Sequence, residues 1–74
     1  MKIYVAGFDD STTLVDLVML FNEHGTVTGI KMKQGERRKY ALVEMGNYDA
    51  EQAIAALDRT NWDRARLNVV QSKW

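Results

Sequence analysis

From Arg38 to Met45 the chain alternates. Ala41, Val43 and Met45 fall on one parity, and Tyr40, Leu42 and Glu44 fall on the other. A strand sends successive side chains to opposite faces, so this segment predicts a strand with one apolar side and one mixed side. Ile3-Tyr4-Val5-Ala6-Gly7-Phe8 follows the same rule, with Ile3 and Val5 on the apolar parity and Tyr4 on the other. A fold built on such strands covers one face of a sheet and leaves the other open. Each of these two strands then sets a tyrosine on the open face.

The remaining segments alternate between strand and helix periods. Lys2 to Ala6 reads as the first strand and Gly7 to Thr12 as a loop. Thr13, with Asp16 three residues later, is a capping box that opens a helix. Leu14, Leu17, Leu20 and Phe21 follow at helical spacing, and Gly25 after His24 closes that helix. Val27 to Lys33 is a second strand, Ile30 and Met32 facing in and Lys31 and Lys33 facing out. Gln34-Gly35-Glu36 is a turn into the third strand, Arg38 to Met45. Asn47 is the expected cap of a second helix with the apolar stripe Ala50, Ala53, Ile54 and Leu57. A last strand turns Leu67 and Val69 inward, and Asn68 and Val70 outward.

The order is β-α-β-β-α-β. Right-handed crossovers then place two helices on one face of a four-stranded antiparallel sheet, an α+β, ferredoxin-like architecture. In this topology the first and third strands are central neighbours, so Tyr4 and Tyr40 are expected to lie close together.

A length of 74 residues predicts one domain spanning 1–74. The absence of cysteine removes disulfides and thiolate metal sites. Stability must therefore come from a small core, with an expected reserve of ~3–5 kcal/mol. No apolar run approaches the ~18 residues of a membrane span, and no signal peptide is visible, so the expected setting is cytoplasmic with no membrane partner. Net charge is zero, which taken alone argues against a nucleic-acid binder. The distribution differs: Lys31, Lys33, Arg37, Arg38 and Lys39 surround a single acid, Glu36, so this segment carries +4 and the rest of the chain −4. Phosphates sense a local field rather than a total.

With these residues in view the chain resembles the RNA recognition motif (RRM) family, and in particular the small single-domain RRM proteins of bacteria. Ile3-Tyr4-Val5-Ala6-Gly7-Phe8 stands in the place of the family hexamer. Arg38 to Met45 stands in the place of the octamer, with Arg38, Tyr40, Ala41 and Val43 matching it. Asp16-Leu17, Leu20-Phe21, Gly25 and the stripe from Ala50 to Leu57 also fall where the family places helix and core residues. The chain departs from the pattern at Leu42, where a stacking aromatic is usual, at Lys39 in place of Gly, and at Met45 in place of an aromatic. The resemblance implies a module for single-stranded RNA. The departures imply weak, salt-sensitive and loosely selective binding, because each stacked base contributes ~1–3 kcal/mol.

The expected RNA-binding residues are Tyr4 and Tyr40 as base platforms and Leu42 as an apolar contact between them. Lys2, Lys31, Lys33, Arg37, Arg38 and Lys39 would hold phosphates, and Asn68 lies on the same face. Against this stands the plain reading of tyrosines as good strand formers and of the cations as solvated charges. The first helix carries a second signal. Leu14, Val15, Val18 and Met19 accompany its core residues, and Val15 and Met19 point away from Leu17. An apolar outer side on a helix suggests a contact with a protein partner or a second copy of the chain.

Trp62 is expected to close the end of the core. For Trp74 three roles stay open: a frayed end, a cover for the sheet, or a stacking ring. One histidine and no cysteine leave no candidate for metal, cofactor or nucleophilic chemistry. The fold is shared with acylphosphatase-like enzymes, which cradle phosphate after the first strand with an arginine. Here that loop is Gly7-Phe8-Asp9-Asp10-Ser11, which has carboxylates and no cation, so no enzymatic activity is expected.

Overall fold

Strand β1 (Lys2–Ala6) opens the chain and lies in the middle of the sheet. A computed structural model describes residues 1–73; the roles weighed for Trp74 lie outside the described residues. Helix α1 (Leu14–Asn22) follows, then β2 (Val27–Gln34), β3 (Lys39–Met45), helix α2 (Asn47–Leu57), a short hairpin of β4 (Asn61–Trp62) and β5 (Ala65–Arg66), and β6 (Asn68–Gln71). The main sheet has four strands in the order β2-β3-β1-β6, all pairs antiparallel. This is the expected ferredoxin-like arrangement, with the small β4–β5 hairpin as an addition.

The period-two pattern decides what each face buries. Ile3, Val5, Ala41, Val43, Met45, Leu67 and Val69 all lie inside, at 0–1% exposure. Leu17, Leu20 and Phe21 of α1 and Ala50, Ala53 and Leu57 of α2 close over them. The alanines let α2 come close to the sheet, and Phe21 fills the space between helix and strands. Trp62 is half-buried and packs against the end of this core, as the sequence implies.

Local chemistry fixes the ends of α1. The Thr13 hydroxyl accepts from the Asp16 N–H at 3.2 Å, and the Asp16 carboxylate accepts from the Thr13 N–H at 3.0 Å. The two bonds satisfy donors that a helix start leaves unpaired. The start of α2 differs from expectation. Gly46, not Asn47, holds the cap position, and no side chain caps it. Met45 must stay in the strand to bury its side chain, so a single residue is left for the corner, and Asn47 is already helical. Strand β3 begins at Lys39 rather than Arg38, because the Gly35 N–H donates to the Arg38 carbonyl at 2.8 Å and keeps residues 35–38 in the turn.

Candidate nucleic-acid interface

The uncovered face of the sheet gathers residues in cross-strand rows. Tyr4 lies opposite Leu42 on one side and Val70 on the other. Leu42 in turn faces Lys31, and Tyr40 faces Lys33. Lys2 and Gly29 both pair with Glu44, and Ala6 pairs with Asn68. Every one of these residues has the parity opposite to the buried set, so the register that fills the core also composes this surface.

Tyr4 and Tyr40 sit diagonally on adjacent strands, with ring centroids 5.4 Å apart and planes inclined by 31°. That separation lies within the ~4.5–7 Å range of favourable aromatic pairs, so each ring steadies the other. Both side chains are half-buried, their bodies packed and part of each ring left to solvent. Leu42 is half-buried beside them.

Three shallow hollows share this face. One is walled by Tyr4, Ala6, Gly7, Tyr40 and Asn68, with Arg37 and Arg38 of the β2–β3 turn rising on its far side. A second runs past Lys2, Gly29, Lys31, Lys33, Leu42 and Glu44. A third, lined by Val70, Ser72 and Lys73, meets the first at Tyr4. Gly7 is needed where β1 ends. Its φ is +89°, and a Cβ there would collide with the Arg66 carbonyl.

The cations divide into two groups. Lys2, Lys31, Lys33, Arg37 and Arg38 are exposed on or beside the open face. Lys39 is half-buried and lines the first hollow together with Tyr4 and Tyr40. It shares the parity of Ala41 and Val43, and its ammonium donates weakly, at 3.5 Å, to the Asp10 carbonyl in the β1–α1 loop. Alternation also places Glu44 on the open face, where it lines the second hollow.

On α1, Leu14, Val15 and Met19 are exposed, Val15 at 64% and Met19 at 65%, and Val18 is half-buried. The apolar outer side expected from the sequence is thus present on the helix layer, away from the tyrosines. No described helix is long and apolar enough to cross a membrane.

Fold and surface together define a class: a small α+β domain that presents an aromatic, cation-fringed sheet to solvent. The RNA recognition motif model matches residues 3–68, and the chain belongs to that family. It is 39% identical over 78 residues to RbpE of Nostoc sp., a candidate RNA-binding protein, in an alignment covering 99% of this chain and 79% of that protein. RbpA of the same organism, likewise a candidate RNA-binding protein, is 35% identical over 79 residues, with 99% and 76% covered. Among solved structures, the RNA-binding protein PG1 superposes with a TM-score of 0.88 at 26% identity, covering 100% of this chain and 95% of that one. The Rna15 RRM, solved with bound GU RNA, superposes with a TM-score of 0.86 at 19% identity over 97% and 82% of the two chains, a likeness of fold alone.

Proposed function

We propose that this domain is a single-stranded RNA-binding module in which two to four nucleotides cross the open sheet. Bases stack on Tyr4 and Tyr40, Leu42 offers an apolar contact between them, and Asn68 offers hydrogen bonds at the rim. Lys2, Lys31, Lys33, Arg37 and Arg38 hold phosphates, and Lys39 adds to the field at the base of the turn. The observation that carries this reading is the tyrosine pair, two rings 5.4 Å apart on a face left open by both helices. Family membership and the RNA-binding relatives support it over a purely protein-interacting role. With Leu42 in place of a third ring, binding is weak, salt-sensitive and only loosely selective. The domain works by binding rather than catalysis, as one unit over 1–74, in the cytoplasm.

The test is an NMR titration of the protein with short mixed oligoribonucleotides at low salt. Shifts concentrated at Tyr4, Tyr40 and the β2–β3 turn support the reading. Their absence at millimolar RNA removes it. The exposed Leu14, Val15 and Met19 favour one subsidiary role, contact with a second copy or a protein partner through α1. Light scattering tests self-association: a dimer split by Val15→Glu or Met19→Glu supports it, and a monomer at high concentration ends it.

A further inference from the structure

The open face is mostly cationic, and Glu44 stands among its lysines. Glu44 is the last outward residue of β3, and it lies across from Gly29 on the edge strand β2. Gly29 has no side chain to fill its place in the row. A Cβ there would stand 3.6 Å from both the Glu44 Cβ and Oε2, so the carboxylate lies alongside the bare backbone of Gly29. The resulting hollow has Leu42 on one side, with Lys2, Lys31 and Lys33 around it. Its row adjoins the row of Tyr4 and Leu42, two residues or ~6.8 Å along the strand.

A carboxylate accepts hydrogen bonds and cannot donate them. In a hollow meant only for phosphate it would be repulsive. For a base it is selective, because the four bases differ in the donors along their pairing edges. Guanine presents two parallel N–H groups, at N1 and N2, which match the two oxygens of a carboxylate. Adenine and cytosine present one amine beside a ring nitrogen whose lone pair opposes the second oxygen. Uracil presents one N–H between two carbonyls. The lysines around the hollow supply the complementary charge for the flanking phosphates.

We propose that the Gly29–Glu44 hollow is a guanine subsite, in which guanine N1–H and N2–H donate to the Glu44 carboxylate while the base lies against Leu42. The subsite deepens the RNA-binding reading and rests on it. It places one guanine next to the nucleotide carried by the tyrosines, so the loose selectivity expected of the sheet gains one preferred position.

The experiment titrates the protein with short uridine oligomers carrying one central guanosine, inosine, adenosine or uridine. Inosine keeps N1–H and lacks the N2 amine. The expected order of affinity is guanosine, then inosine, then adenosine and uridine, with guanosine ahead of uridine by at least about fivefold. Glu44→Gln should collapse that ratio, and chemical shifts on guanosine binding should centre on Gly29, Leu42 and Glu44. Equal affinity for all four oligomers, or a guanosine preference that survives Glu44→Gln, overturns the subsite while leaving RNA binding in place. Failure of every oligomer to bind overturns both.

Discussion

Gly35 packs beside the ring of Tyr40 and against the Arg38 carbonyl. A Cβ on Gly35 would lie 3.6 Å from Cδ1 and 3.7 Å from Cε1 of that ring, and only 2.7 Å from the Arg38 carbonyl oxygen. The same glycine donates its N–H to that carbonyl. One residue therefore closes the β2–β3 turn and sets the edge of the aromatic platform.

Gly35→Ala should disturb both. The added methyl meets backbone, so the turn must open, and Tyr40 loses its seat. RNA affinity should fall by about fivefold or more, comparable to weakening one stacked base. Calorimetric titration beside a thermal melt checks this. An unchanged affinity would show that the ring does not depend on the turn.

Tyr40→Ala and Tyr4→Ala should each weaken RNA binding by ~1–3 kcal/mol. Because the rings adjoin, removing one leaves the other less constrained, and the double variant should lose less than the sum of the single losses. Tyr→Phe at either position should cost little if stacking is the main contact. A large loss in the phenylalanine variants would assign the work to the hydroxyls instead.

Binding should weaken with salt. For a single strand the logarithmic slope is about −0.7 for each phosphate contact, so two to four contacts give a slope of about −1.4 to −2.8. Arg38→Ala should flatten it by about 0.7. Lys39→Ala should change it less, because its ammonium also donates to the Asp10 carbonyl at 3.5 Å. Affinities measured across a salt series decide between the two cations.

Thr13→Ala removes the capping bond to Asp16 and should destabilise the domain by ~1 kcal/mol. For a chain of this size that corresponds to a melting point lower by ~4–8 °C. The cap lies at the start of α1, on the layer opposite the tyrosines, so RNA affinity at a temperature well below the melt should stay the same. A coupled loss would mean that α1 frays into the sheet.

Parity in β1, β3 and β6 was enough to read both the core and the open face, because a half-covered sheet permits no slip of one residue. Tyr4, Tyr40, Leu42 and Asn68 follow from it directly. The β4–β5 hairpin is not legible in the sequence. Its turn residues Asp63 and Arg64 adopt φ of 49° and 69°, a conformation usually signalled by Asn-Gly or Asp-Gly, and an arginine there gives no cue. The meeting of Gly29 with Glu44 depends on a bulge between Val27 and Gly29 that shifts the pairing. Such an irregularity comes from tertiary packing rather than from local pattern.

Strand β2 ends the sheet, eight residues long and paired on one side only. A strand of that kind is a template on which another polypeptide can anneal. Here it is spoiled for that purpose by the bulge, by the Thr28 hydroxyl turned back onto the Glu44 carbonyl at 2.9 Å, and by Lys31 and Lys33. The lysines proposed to hold phosphates would also keep the sheet's long border from recruiting β-strands of neighbouring molecules, so mutating them should raise aggregation as well as lower affinity.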